Sequence, residues 1–512
     1  MIILEILYLI VAAWLAVYGF NALYLILVRR LRYKPAPVIK PAPDFDWPAV
    51  TVQLPVYNER FVAERLITAV AALDYPADRL QIQVLDDSDD ITTEIIARLV
   101  ARARTGGVDI RHIQRPDREG YKGGALQYGL KRADGEFIAI FDADFLPEAG
   151  TLKSIIPHFE GDLQIGCIQT RWSHINPDSS WLTRSQAAGI DGHFLVQQET
   201  RSTEGLFLNF NGTGGVWRRD CIEDAGGWQG DTLTEDLDLS YRAQLLGWRI
   251  LYLPHVSVPG ELPVHIGAFK RQQFRWAKGS IQTARKLLVE LWRSRQPLRI
   301  KLTAAIHLTN YIVHPLILLN LLLTLPVILS GSPLLHIMPV FTVAALGPIL
   351  MYWFSIGAHG KTRLARTAQL GVLLITGMGL SINNSRAVLE ALLGIKTSFL
   401  RTPKFNVRGK QAVNENRAYT LPIDPIVLLE IAFAVYSLIL LLIVLQMGVW
   451  RLVLWLPLYI GGFSYVAGLS IYQSLQSRSA AKKAHPSLPT AEWLQPSAPP
   501  IPDSSLERLS GD

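Results

Sequence analysis

The stretch FIAIFDAD, residues 137–144, ends an apolar, strand-like run in two carboxylates, Asp142 and Asp144. A short apolar run bounded by turn residues reads as a buried strand. Alternate side chains on an extended segment point the same way, so these two carboxylates can reach one divalent cation and the phosphate oxygens it carries. Upstream the same grammar repeats. Residues 50–57 (VTVQLPVY), 81–87 (QIQVLDD) and 108–114 read as strands, with helices at 61–73 and 92–104 between them. Strands alternating with helices predict an α/β fold with a parallel sheet, whose ligands bind at the carboxyl ends of the strands. Those ends carry Tyr57, Asn58-Glu59, Asp86-Asp87 and the Asp142/Asp144 pair. The plain reading of a carboxylate at a strand end is a helix cap or turn former.

Three further segments add chemistry. GYKGGAL (120–126) offers Lys122 as positive charge for phosphate, with glycines that permit close backbone approach, although it also reads as a glycine-rich helix start. NFNGTGG (209–215) reads as a loop packed against something. Thr234-Glu235-Asp236 opens a helix, which an ordinary cap would also explain. AFKRQQFRWAKGSIQT (268–283) is basic, aromatic and amphipathic, as a helix lying on a membrane surface would be.

The chain has 512 residues, 49% of them apolar and 18% charged, with a net charge of 50 − 43 = +7. The usual charged share is about 25%. This balance excludes a disordered or collagen-like chain and argues against a dedicated nucleic-acid binder. Two cysteines, Cys167 and Cys221, cannot build a disulfide scaffold and place the folded part in a reducing compartment.

The apolar residues are concentrated in a few runs. Residues 2–28 can span a bilayer and are followed by Arg29, Arg30, Arg32 and Lys34, so a retained anchor is expected with that basic end inside. Further runs lie at 303–329, 334–357, 425–446 and 450–473, and 368–382 is marginal in length. Five spans, with 368–394 lying in the interface, put every basic loop on one side: Arg29–Lys34, His359–Arg366, Arg401–Lys410 and Arg478–Lys483. Residues 1–30 are thus read as an anchor and 35–265 as a cytosolic catalytic domain. Residues 266–300 are read as interfacial helices, 301–475 as a membrane domain and 476–512 as a disordered tail. Polar residues within the first run after the soluble part (His307, Thr309, Asn310, His314, Asn320) are candidates for a channel lining or for helix–helix hydrogen bonds.

In order, QVLDDSDD (83–90), GYKGGAL, AIFDADF (139–145), FNGTGGVWR (210–218), AGGW (225–228), TEDLDLSYRAQLLGWR (234–249), LYLPHVSVPGELP (251–263) and QQFRW (272–276) resemble the family 2 membrane glycosyltransferases. The wording is most similar to the cellulose-synthase-like A and C proteins, which make mannan, glucomannan or β-1,4-glucan backbones. The likeness covers roughly 48–285 and continues through FLRTPK (399–404), similar to a cytosolic gating-loop motif. The resemblance implies a GT-A type nucleotide-sugar domain inserted between transmembrane helices, and an inverting, processive hexosyltransferase using Mg²⁺ or Mn²⁺. It implies UDP-glucose or GDP-mannose as donor and a polysaccharide or glycolipid acceptor at the membrane lipids, with no nucleic acid. By the same resemblance Tyr57, Glu59, Asp86, Asp87, Lys122, Asp142, Gln272 and Arg275 bind the donor, and Asp144 with Asp142 holds the metal. Asp236 is the general base with Glu235 beside it, and Trp276, Asn211, Gly212 and Thr213 meet the acceptor. Arg401, Thr402 and Lys404 belong to the gating loop. The alternatives are a non-processive lipid glycosyltransferase, separated by product size, and a non-catalytic export subunit.

Overall fold

The computed structural model describes residues 2–332, 338–397, 404–407 and 423–483. Seven strands form one sheet: β1 (Val50–Val56), β2 (Leu80–Asp86), β3 (Ile110–Gln114), β4 (Phe137–Ile140), β5 (Ile165–His174), β6 (Gly215–Arg218) and β7 (Arg249–Gly260). Their spatial order is β3-β2-β1-β4-β6-β5-β7. β1 runs parallel to β2 and β4, and β2 parallel to β3, as the strand–helix alternation predicts. Beyond those strands β6 departs from the pattern and is antiparallel to both β4 and β5. The reason is connectivity. The loop 209–214 enters β6 at the edge where β4 ends, so the two strands must run in opposite directions.

The period-2 pattern of β1 sorts its faces. Val50, Val52, Leu54 and Val56 pack in one core with Leu66 and Val70 of the helix Ala63–Ala71 and with Ile96 and Val100 of the helix Thr92–Thr105. The opposite face carries Thr51 and Gln53, both buried. Burying amides without partners is costly, and here the amide nitrogens are paired while Gln53 Oε1 has no hydrogen-bond partner among the described residues. Thr51 Oγ1 donates to Gln81 Oε1 at 2.9 Å, Gln53 Nε2 to Gln83 Oε1 at 3.1 Å, and Gln83 Nε2 to the Arg132 carbonyl at 2.8 Å. A second core on this side gathers Leu126, Trp217, Trp228 and Leu239.

Among the described residues three helices are long and apolar enough to cross a membrane: Ile2–Arg32, Asn310–Leu329 and Ile426–Gln446. Arg363–Gly379 and Ser381–Leu392, bent by 43° at Leu380, pass the same test only as a pair. The run expected at 303–329 is divided, because the helix Leu298–Leu308 stops and a single turn, Asn310–Ile312, leads into Val313–Leu329. Tyr18 of the first helix donates to the Thr309 carbonyl at this break, at 3.0 Å. Residues 268–283 fall in one long helix, Ile266–Arg293, with Ala277, Gly279, Ile281 and Ala284 buried against protein.

Candidate active site

The carboxyl ends of β1, β2 and β4, the loop before β6, the start of the helix Glu235–Leu245 and one face of Ile266–Arg293 enclose a single cleft. It is lined by Tyr57, Glu59, Asp87, Lys122, Asp142, Asp144, Asn211, Gly212, Glu235, Asp236, Gln272, Arg275, Trp276 and Lys404. All of these were expected from sequence. Two expected residues lie behind the wall instead. Asp86 is 3% exposed and faces away, accepting from His112 Nε2 at 2.8 Å and from the Ser88 amide at 2.9 Å. Burial raises its pKa, but the hydrogen bonds from His112 and Ser88 outweigh that and hold the carboxyl below its usual value. Thr213 is fully buried and its Oγ1 accepts from the Asp142 amide at 2.8 Å, so it supports the carboxylate pair from beneath. Arg401 and Thr402 lie outside the described residues.

Asp142 and Asp144 each face a lysine. Lys122 Nζ is 2.6 Å from Asp142 Oδ1, and Lys404 Nζ is 2.6 Å from Asp144 Oδ2. Burial lifts the Asp142 carboxyl above its usual range, Lys122 pulls it back and the charge of Asp144 lifts it again. The second oxygen of each carboxylate makes no hydrogen bond to a described residue. Among the described residues no three His, Cys, Asp or Glu side chains gather as metal ligands. A hard cation such as Mg²⁺ or Mn²⁺ that takes one or two protein carboxylates and completes its shell with water and phosphate fits this donor set.

The helix carrying Glu235 and Asp236 is placed by glycines. Gly212, at φ +83°, sits where a Cβ would lie 2.9 Å from Asp236 Oδ2 and 3.2 Å from Lys122 Nζ. On the other side a Cβ on Gly279 would lie 2.5 Å from the Thr234 side chain. Thr234 makes no side-chain cap bond, so the ordinary-cap reading of this helix start does not hold. Its hydroxyl lies 3.4 Å from that of Thr283 instead, and the Leu233 amide donates to Gln282 at 2.9 Å. The glycines of GYKGG also serve protein contacts. A Cβ on Gly123 would lie 3.0 Å from the Gln229 carbonyl and 3.2 Å from Glu235 Cβ. Lys122 alone of that motif reaches the cleft, donating to the Gly212 carbonyl at 2.8 Å and standing 3.7 Å from Glu235. Burial works against its charge, but Asp142 and Glu235 raise its pKa overall.

Asp236, like Asp142, has a raised proton affinity. Burial and then the charge of Glu235 push its pKa up to about 7, against the pull of Lys122. A base poised near neutral pH suits proton abstraction from a hydroxyl. Arg275 is buried opposite. Burial lowers its pKa, and Glu235, Asp142, Asp144 and Glu59 counter that. Gln272, Arg275 and Trp276, spaced three and four apart, share one helix face. Gln272 and Trp276 make no hydrogen bond to a described residue and are open to a ligand.

The structure adds residues that sequence reasoning left without a role. Arg115 clamps Asp87 through Nε at 2.7 Å and Nη2 at 2.6 Å. The Arg118 guanidinium stands 3.3 Å from the centre of the Tyr57 ring, and both line the cleft. Glu261 binds Arg65 at 2.7 Å and accepts from the Phe405 amide at 2.9 Å, while its carbonyl accepts from Lys404 at 2.6 Å. Glu261 stands in the quoted VPGELP motif, which was the available signal. Arg65 and Arg118 had none, since each is one arginine among many on a helix or in a loop.

Residues 48–279 match the family model described as glycosyltransferase like family 2. Glucomannan 4-beta-mannosyltransferase 2 of Arabidopsis thaliana is 42% identical over 272 residues, which is 52% of this chain and 51% of that protein. Glucomannan 4-beta-mannosyltransferase 1 of Oryza sativa subsp. japonica is 41% identical over 272 residues, 52% of each. The chain thus spans about half the length of the curated relatives it matches. A mannosyltransferase of Pyrobaculum calidifontis, solved with GDP-Man and Mn²⁺, superposes with a TM-score of 0.53 at 22% identity, over 75% of this chain and 99% of that one. That likeness shows the fold, a GT-A-like mixed α/β sheet. Over residues 48–279, therefore, the chain carries a domain that matches the glycosyltransferase like family 2 model.

Proposed function

We propose that the chain is an inverting β-hexosyltransferase that moves a sugar from a nucleotide donor to a hydroxyl of a growing polysaccharide, with GDP-mannose the first donor to test. The observation that carries this reading is the meeting, in one cleft, of Asp236 with its pKa near neutrality, the Asp142/Asp144 pair and the Arg275 guanidinium. The acceptor hydroxyl gives its proton to an Asp236 carboxylate oxygen while its own oxygen bonds to the anomeric carbon from the face opposite the diphosphate. The carbon–oxygen bond to the diphosphate breaks and the pair of electrons leaves with it. Arg275 and Lys122 balance that developing charge, as preorganised cations do best in a site shielded from water. Asp142 and Asp144 would hold Mg²⁺ or Mn²⁺, which supplies Lewis-acid charge to the diphosphate.

Tyr57, Arg118 and Asp87 stand where the nucleotide would lie, with Asp86 holding the floor beneath through His112. Trp276 offers a flat apolar face to a pyranose ring. The Arabidopsis and rice relatives are named for 4-β-mannosyl transfer in glucomannan, which favours mannose over glucose. Processive transfer, and passage of the product among the membrane helices, complete the proposal. The test is the purified full chain with GDP-mannose or UDP-glucose and Mg²⁺ or Mn²⁺, its products digested with linkage-specific hydrolases. A long product cut by a β-mannanase is expected. A single sugar on a lipid would overturn the polymer reading, and no transfer from either donor would overturn the enzyme reading.

A further inference from the structure

A second cavity, of about 660 Å³, lies beside the cleft and shares only Leu233 and Arg275 with it. Its walls are Ile266–Arg293, Ser381–Leu392, the start of Ile426–Gln446 and the helix Leu456–Lys483. Positive side chains outnumber negative ones there: Lys270, Arg271, Arg275 and Arg386 against Asp424. Most of these cations are accounted for. Lys270 is 2.6 Å from the buried Glu430 carboxylate, and Arg386 is 2.9 Å from Glu390 and 3.6 Å from Asp424. Arg275 is held by the carboxylates of the cleft. Arg271 differs. It is half-buried and makes no hydrogen bond or ion pair with a described residue, and burial works against its charge with only Asp424 near enough to counter it.

A guanidinium cannot discharge itself by losing its proton, so a half-buried one whose nearby carboxylate makes no ion pair with it is costly. Its planar fork matches a phosphate bidentately. The surroundings indicate where the phosphate comes from. Beside the charged groups, its walls carry apolar Phe274, Ile423, Pro425 and Ile426 and polar Asn383, Thr397, Ser470 and Gln473. Its wall includes the first turn of a helix long and apolar enough to cross a bilayer, and the next residues on that helix, Leu428 and Leu429, are 74% and 47% exposed. A phosphate at Arg271 could therefore carry acyl chains directly onto that helix. Basic pockets between membrane helices are known to take anionic headgroups.

We propose that this cavity binds the phosphate headgroup of an anionic membrane lipid through Arg271, with Arg386 beside it. The test is native mass spectrometry of the detergent-purified full chain with phosphatidylglycerol, with phosphatidylcholine, and with inorganic phosphate at millimolar concentration. Phosphatidylglycerol should bind one to one, at least tenfold more tightly than phosphatidylcholine, and phosphate should not displace it. Arg271→Gln should weaken that binding at least tenfold while keeping the parental melting temperature in detergent. If that variant does not fold, Arg386→Gln should show the same loss. Equal retention of phosphatidylglycerol by a folded variant overturns the site. Displacement by inorganic phosphate overturns the lipid as its occupant.

Discussion

At the scale of single residues, Asp236 separates a structural role from a chemical one. Asp236→Asn keeps the shape, and its carbonyl oxygen can still accept from the Leu237 amide, which now donates to Oδ1 at 2.8 Å. Loss of a general base typically costs about 10²–10⁴-fold in rate. The folded-state pKa of Asp236 lies above its unfolded value, so its ionisation destabilises the fold increasingly from about pH 4 upward, and fully above about pH 7. Asp236→Asn removes that burden. At pH 8 it should melt no lower than the parent while sugar transfer collapses. A residue that served only as a cap would show the reverse, losing about 1 kcal/mol of stability and no rate. The same pKa predicts a pH–rate profile in which kcat/KM falls about tenfold per unit below pH 7, because the base must be ionised. Glu235→Gln takes away the larger of the two charges that add to burial in raising that pKa, so the acid limb should move to lower pH. An unmoved limb in Glu235→Gln would assign it to another group. Asp144→Asn should abolish metal-dependent donor binding, measured by calorimetry with and without chelator. Turnover surviving both the substitution and the chelator would remove the metal from the proposal.

Elements are placed by contacts that the local sequence does not announce. The strand ends were legible because alternating burial writes itself into period-2 patterns, and Asp142/Asp144 followed from their place after FIAIF. The reversed β6 was not legible, since four residues carry no mark of strand direction. Nor was the use of the GYKGG glycines, whose neighbours Gln229 and Glu235 are more than a hundred residues away. Lys404 was recognisable as part of a motif, but its 2.6 Å approach to Asp144 joins positions 260 residues apart. Gly279 tests how finely the Asp236 helix is set. A Cβ there collides with the side chain and amide of Thr234 at 2.5–2.8 Å, so the helix start must shift. Displacement of a reacting group by about 1 Å can cost roughly 10²-fold. Gly279→Ala should therefore lose activity of that order, read as kcat at saturating donor, while its circular dichroism spectrum stays parental.

On the scale of the whole molecule, the catalytic domain is fastened to the apolar helices at several places. Arg29 reaches Glu199 at 2.7 Å. Asp191, beneath the cleft wall, accepts from His174 at 3.2 Å and from His359, after the helix Met338–Gly357, at 2.9 Å. Burial alone would raise the Asp191 pKa, but the two imidazoles bring it down to about 2. The first helix also meets Met338–Gly357 through small residues. A Cβ on Gly19 would lie 2.2 Å from the Ala344 carbonyl, and one on Gly347 would lie 2.2 Å from the Gly19 carbonyl. Such approaches suit helices packed within lipid. Charge placement predicts that a reporter fused after Lys483 reads cytoplasmic, since the five-span reading puts the basic end of the first helix and Arg478–Lys483 on one side. A signal from the opposite side would overturn the interfacial placement of 368–394.

The reversed strand has a consequence in time. β1 to β4 pair among themselves, so the part of the cleft at their carboxyl ends can assemble once the chain has grown past Asp144. β6 joins the free edge of β4 only about seventy residues later, bringing the loop that faces Asp236, and Arg275 and Lys404 follow later still. Domains tend to form as the ribosome releases them, at about 5–20 residues per second. For several seconds of synthesis the open edge of β4 therefore waits without a neighbour, while the first helix can already be held in the bilayer. A half-made sheet tethered to a membrane meets fewer copies of itself than one adrift in solution, and an unpaired edge is what nascent chains aggregate through.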